Sequence, residues 1–252
     1  MVIPGIEDAI KITLFADDTN LFLNKDNRLD YIHRILDQWC KVSGARFNIK
    51  KTEIILIGKK SHRRMVVETR KINPQDKNPL PPKIQIAHDR EAVRILGAWI
   101  GNTANNQAPW EPILDAINTK LKLWERVHLM LNRKHIIIQA IIGGHMQFLA
   151  KAQGMPLNIE DALVNIMSKF IWGHGTRPRI AMTTLQCPIH KGGLNILDIK
   201  ARNKAIEIVW LKTYLNFSPS CQKWATVTDH IILAAAPNHS IKKARENPFL
   251  QT

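Results

Sequence analysis

Two adjacent acids, Asp17 and Asp18, interrupt an otherwise apolar stretch, IKITLFADDTNLFL, from Ile10 to Leu23. β-favouring residues run up to the pair and away from it. This predicts strand, acidic turn, strand, with the arms in a core and the carboxylates at the exposed tip. A carboxylate fixed at a hairpin tip is a natural ligand for a hard cation such as Mg²⁺, which takes oxygen ligands and leaves waters free for phosphate. Two such ions held close together can activate a 3′-hydroxyl and stabilise the leaving oxygen in nucleotidyl transfer. Asp is also a common turn residue, so an Asp-Asp surface turn without chemistry is the alternative that the pair alone leaves open.

The elements that must position the pair follow in order. Pro4-Gly5 marks a turn before the hairpin. Asp26 and Asn27 can cap a helix running to about Ser43, with Leu29, Ile32, Leu36, Trp39 and Val42 on its apolar face and Gly44 closing it. That helix is expected to pack its Trp39 face on the sheet. Thr52 to Ile57 reads as a buried strand entered through Lys50 and Lys51. Lys59 to Lys71 is a basic run, either tracking phosphates or forming a solvated loop. Residues 73–83 are Pro-rich and read as an excursion between strands. Arg94 to Gly101, RILGAWIG, predicts a short hairpin broken at Leu96-Gly97. After the polar loop Asn102–Ala108, a helix is expected from Trp110 to about Asn132, carrying Lys120, Lys122, Arg126, Arg133 and Lys134. A second covers Arg133 to Leu149, and a third runs from Leu157 to Trp172, stopped by Gly173. The tail, 218–252, breaks up near Pro237, and its last residues are expected to be disordered.

The formal net charge is +15, which favours an anionic partner, nucleic acid before an anionic membrane surface. Hydrophobic residues make up 45% of the chain, enough to exclude a disordered tail. Three scattered cysteines, Cys40, Cys187 and Cys221, do not suggest a disulfide framework and point to a reducing, intracellular setting, nuclear or cytoplasmic. His174, Cys187 and His190 fit no standard zinc spacing. MVIPGIEDAIK lacks the features of a signal peptide, and without a run of about 20 apolar residues no membrane span is expected. Phosphate-loop and nucleophile-elbow motifs are absent.

FADDTNLFL resembles the catalytic hairpin of reverse transcriptases, in the Phe-Ala-Asp-Asp form of non-LTR (LINE-type) retrotransposons. Later stretches resemble the same family in the same order. Ser43, Gly44, Asn48, Lys51, Thr52 and Glu53 match Ser-Gly followed by Asn-x-x-Lys-Thr-Glu. Leu96-Gly97 matches the primer-grip hairpin, with Ile95 in place of the usual aromatic. Phe170, Trp172, Gly173, Arg177, Arg179, Leu185, Pro188, Gly192, Gly193, Leu194 and Asp198 resemble the region after the thumb.

The resemblance implies an α+β fold: the C-terminal part of a right-hand polymerase palm over 1–105, a helical thumb over 106–155 and a mainly helical post-thumb region over 156–252. It implies an RNA-directed DNA polymerase with Mg²⁺ on Asp17 and Asp18, Lys51 near the incoming triphosphate, and Leu96 and Gly97 at the primer. Its partners would be an RNA template, a DNA primer and deoxynucleoside triphosphates. Lys120, Arg126, Arg177, Arg179 and Lys191 are the candidate phosphate contacts. The family's other catalytic Asp and its fingers lie upstream of the hairpin. The chain alone is therefore expected to be inactive, with an apolar face left uncovered. The alternative is a non-catalytic, basic nucleic-acid-binding remnant.

Overall fold

The computed structural model describes residues 11–173, 175, 177–216, 218 and 220–235. The Pro4-Gly5 turn, His174 and the tail beyond residue 235 lie outside them. The chain is mixed α+β. Its strands are β1 (Ile12–Phe15), β2 (Asp18–Leu21), β3 (Glu53–Ile55), β4 (Gln85–Ala87), β5 (Val93–Ile95) and β6 (Ala98–Ile100). Its helices are α1 (Leu29–Ser43), α2 (Lys60–Thr69), α3 (Glu111–Glu125), α4 (Leu131–Ile138), α5 (Gly144–Gln153), α6 (Leu157–Trp172), α7 (Met182–Gln186), α8 (Ile199–Tyr214) and α9 (Lys223–Ala235). They divide into two compact units. One takes the chain up to Ile49, Lys59–Pro82 and the residues from Val209 onward; the other takes Lys50–Gly58 and Lys83–Ile208.

In the first unit, β1 and β2 pair antiparallel, with Ile12 opposite Leu21 and Phe15 opposite Asp18. The pairing follows the sequence pattern, but the burial expected of the arms is absent. Leu14 and Phe15 are 64% and 65% exposed. A two-stranded ribbon pairs its backbone without making a core of its own.

Helix α1 ends as expected, with Gly44 at φ 72 and its N–H on the Cys40 carbonyl. Its start differs from expectation. Asn27 Oδ1 accepts the N–H of Asn24, a local turn, and the side chain of Arg28, at the capping position, does not cap the helix. The first helical N–H, on Leu29, donates instead to Asp76 Oδ1 at 3.2 Å, 47 positions along the chain. Leu29 is buried and Ile32 and Leu36 are half-buried, yet Trp39 is 46% and Val42 90% exposed. The expected Trp39 core contact is therefore corrected: the apolar arc of α1 is wider than the surface that covers it.

The basic run forms α2 rather than a loop, anchored by fully buried Val66. Arg70, in the left-handed conformation after α2, donates from Nε to the Leu80 carbonyl (3.2 Å) and from Nη2 to that of Pro81 (2.8 Å). These bonds tie it to the Pro-rich excursion. That excursion is irregular, as expected, but ordered around buried Asn73, Asp76 and Leu80. Farther on, Trp224 stacks on Tyr214 and meets the edge of Trp210, and the Tyr214 hydroxyl donates to Asp229 at 2.5 Å. Burial and then the Asp229 carboxylate hold that hydroxyl's pKa up at about 12.

In the second unit, β3 and β4 pair parallel and β5 and β6 antiparallel. Parallel neighbours need a long crossover, and here the connection includes α2. The core gathers Trp110, Ile117, Met146, Leu163, Met167 and Ile199, each at most 1% exposed. Burying such a side chain contributes about 1.5–3 kcal/mol before the entropy of ordering it is counted. Helix α3 stops at Glu125 instead of near Asn132, where the Val127 N–H turns back to the Trp124 carbonyl. The second expected helix comprises α4, a π-helical segment Gln139–Gly143 and α5. Buried Glu160 on α6 accepts a 2.5 Å bond from buried Asn203 Nδ2 on α8.

Candidate functional site

Pairing of Phe15 with Asp18 leaves Ala16 and Asp17 as the two-residue turn. Ala16 takes φ 51, a left-handed conformation that costs a residue with a Cβ about 1 kcal/mol. Asp17 thus sits in the turn and Asp18 opens the returning strand, both exposed. Mg²⁺ in phosphate-handling sites is commonly held by one or two carboxylates together with substrate phosphates. Among the described residues, no group of three or more His, Cys, Asp and Glu gathers to hold a metal.

Lys51 is exposed at the end of the 3₁₀ turn Ile49–Lys51 and leads into β3. It belongs to the second unit, whereas Asp17 and Asp18 belong to the first.

Leu96 and Gly97 turn the β5–β6 hairpin with φ 49 and 84, both positive, as a two-residue I′ turn requires. The bare Cα of Gly97 has a second use. A Cβ there would stand 2.7 Å from Phe148 Cε1 on α5. Beside it, the Gln153 carboxamide accepts the Trp99 N–H (3.0 Å) and donates to the Trp99 carbonyl (2.7 Å), mimicking one rung of a β-ladder. The hairpin is docked on α5 through these contacts. The sequence reading missed both partners. Phe148 was visible as an apolar helix position, and Gln153 gives no signal.

The basic candidates are exposed but dispersed. Lys120 and Arg126 lie six residues apart, so they project from different sides of the chain's helical path. Lys120 Nζ stands 2.9 Å from His145 Nε2, and His145 Nδ1 stands 2.7 Å from the Ile141 carbonyl. Arg177 and Arg179 are exposed in the loop after α6, and Lys191 is exposed at the end of the turn Ile189–Lys191. Lys134 has another task. Its Nζ donates to the Phe170 and Ile171 carbonyls (2.9 and 2.7 Å), capping α6, and burial lowers its pKa.

The stretch from Leu185 to Asp198 serves the local fold. The Leu185 carbonyl accepts the N–H groups of Leu194 (3.0 Å) and Ile196 (3.2 Å), and the Cys187 carbonyl that of Asn195 (2.9 Å). A Cβ on Gly193 would fall 1.9 Å from the Cys187 oxygen, so no other residue closes this knot unchanged. Asp198 Oδ1 accepts the Ala201 N–H at 3.0 Å and caps α8.

No family model matches the chain, and no curated protein matches it. Among the described residues, no helix is long and apolar enough to cross a membrane.

Proposed function

We propose that this chain is part of a reverse transcriptase of the non-LTR retrotransposon type, comprising palm (1–105), thumb (106–155) and post-thumb (156–252) segments. The observation that carries this reading is the acid-bearing hairpin, with Asp17 in a two-residue turn and Asp18 at the start of the returning strand. A helix closed at Gly44, a strand behind Lys51 and a hairpin turning on Leu96-Gly97 support it by following in the order of that family.

In the reaction, a primer 3′-hydroxyl attacks the α-phosphorus of a deoxynucleoside triphosphate. The bond between the α- and β-phosphates breaks, the hydroxyl's proton passes to solvent water, and pyrophosphate leaves with the displaced electron pair. Asp17 and Asp18 would hold Mg²⁺, which supplies charge neutralisation and a more acidic hydroxyl. The resemblance assigns Lys51 a role near the incoming triphosphate, where a cation would stabilise the leaving pyrophosphate. Leu96 and Gly97 face the primer end, and Lys120, Arg126, Arg177, Arg179 and Lys191 meet backbone phosphates.

Two neighbouring carboxylates are too few for two ions in octahedral geometry. With no third metal-ligating group beside them among the described residues, the isolated chain is expected to bind nucleic acid without extending it. The exposed cations of a +15 chain favour this second, non-catalytic reading for the isolated protein.

A labelled RNA–DNA heteroduplex with a recessed primer tests both readings. Binding should fall steeply between about 50 and 200 mM salt. Mn²⁺, followed by electron paramagnetic resonance, should bind the chain and be lost from Asp17→Asn and Asp18→Asn. Salt-independent binding would remove the nucleic-acid reading. Mn²⁺ binding indifferent to both substitutions would remove the catalytic assignment. Primer extension abolished by Asp17→Ala would overturn the inactivity of the chain alone.

A further inference from the structure

The corner between α3 and α4 leaves large apolar side chains in solvent. On α3, Ile117 and Leu121 are buried in the core, and Leu131 at the start of α4 packs against it. Trp124 continues their stripe at a spacing of three, beyond the last buried residue of α3, and is 41% exposed. Leu123, Val127 and Met130 are 59%, 52% and 63% exposed. The chain turns among them. The Val127 N–H comes back to the Trp124 carbonyl, and the Met130 carbonyl accepts the Arg133 N–H at 2.9 Å as α4 begins. All of these groups lie within 123–130, so they crown one corner instead of spreading along a helix face.

The charge around the corner has one sign. From Ala116 to Ile159 the sequence holds six Lys and Arg (120, 122, 126, 133, 134 and 151) against one acid, Glu125. The Glu125 carboxylate acts on Lys134, where it opposes the effect of burial. Lys134 Nζ is itself held by two carbonyls at the end of α6, and Lys120 faces His145. Lys122, Arg126 and Arg133 stand exposed beside the apolar groups. Long cationic side chains reach headgroup phosphates while their stems follow apolar surface, and Trp settles at the same boundary.

We infer that this corner docks on the surface of an anionic lipid bilayer. Leu123, Trp124, Val127 and Met130 enter the boundary between headgroups and acyl chains, to a depth of about 5–10 Å. Lys122, Arg126 and Arg133 meet the lipid phosphates and carboxylates. The contact is peripheral and needs no helix that spans the bilayer. A nucleic-acid strand fits less well. Leu123, Val127 and Met130 offer it neither a stacking surface nor a hydrogen bond, and stacking and charge are what single strands use. The inference is independent of the polymerase reading, with Arg126 the one cation that both use.

The test sediments the full chain with sucrose-loaded phosphatidylcholine vesicles, with and without phosphatidylserine. The chain should partition onto the phosphatidylserine vesicles and stay in solution with phosphatidylcholine alone. A chain of charge +15 is drawn to any anionic surface, so the deciding variants leave the charge unchanged. Leu123→Gln combined with Val127→Gln should weaken partitioning by at least about tenfold, since two apolar side chains no longer leave water. Arg126→Gln and Arg133→Gln should each weaken it by about fivefold. Leu157→Gln, at an exposed apolar position elsewhere, should leave it unchanged. Circular dichroism checks that each variant is folded, and if the double variant is not, Met130→Gln decides by the same loss of partitioning. Partitioning untouched by the apolar substitutions would reduce the attraction to net charge and overturn the inference. Equal partitioning onto both kinds of vesicle would overturn it as well. So would a single-stranded oligonucleotide whose binding the double variant abolishes, or a concentration-dependent dimer that it dissociates.

Discussion

The β5–β6 hairpin is held from outside at two points: Phe148 covers Gly97, and Gln153 grips the Trp99 backbone. Its Val93 is buried. The β1–β2 hairpin has arms of similar length, also turns on a residue with positive φ, and leaves Leu14 and Phe15 in solvent. The difference shows that strand propensity and turn chemistry decide pairing. Anchoring is decided by residues elsewhere, here about 50 positions away.

The largest expected contrast lies between the core and the loose hairpin. Leu163→Ala, at a fully buried position, should cost about 2–5 kcal/mol in chemical denaturation. Leu14→Ala should cost under about 0.5 kcal/mol. Equal costs would mean that the β1–β2 hairpin is covered in solution, and the comparison would break.

The first unit does possess an anchor, Asp76, whose carboxylate accepts the N–H groups of Leu29 and Asn73. Asp76→Ala leaves both without that acceptor and should cost about 1–3 kcal/mol, with a loss of helical signal in circular dichroism. An unchanged helical signal would show that α1 starts without it.

The two turns should respond with opposite signs. Gly97→Ala meets both a positive φ and the Phe148 ring, and should destabilise by about 1–2 kcal/mol. Adding Phe148→Ala should return the steric share and leave the backbone share. Ala16→Gly should stabilise by up to about 1 kcal/mol, because glycine adopts φ 51 freely. A loss of stability there would show that the Ala16 methyl makes a contact that offsets its strain.

The smallest effect concerns Tyr214. Its hydroxyl keeps its proton past the ordinary value of 10, up to about 12. The stability it contributes is therefore whole below pH 10 and is lost as pH rises through 12. Absorbance at the tyrosinate band should show one of the chain's two tyrosines ionising late. Tyr214→Phe should flatten the alkaline loss of stability.

Local signals in the sequence carried the local structure. Alternating β-favouring arms around Asp17-Asp18, the Gly44 stop and the Leu96-Gly97 break each correspond to an observed element. Burial was less legible. Trp39 and Val42 share an apolar arc with Leu36, and periodicity alone does not tell which half of a wide arc is covered. The basic run 59–71 hid a helix because its charged residues mask the single buried contact of Val66. For the candidate site, the sequence showed the acids and the turn. Phe148, Gln153 and His145 beside Lys120 act through contacts that no local pattern encodes.

The bond from Leu29 to Asp76 also sets an order of events during synthesis. Helix α1 has 15 residues and no capping side chain of its own, so in isolation it is marginal. The carboxylate that completes its start is made 47 residues later, a delay of about 2–9 s at a ribosome's pace of about 5–20 residues per second. A nascent chain halted before that carboxylate emerges would present α1 with its first turn unfinished and its aromatic flank already in solvent, a form that chaperones would meet before the folded protein exists.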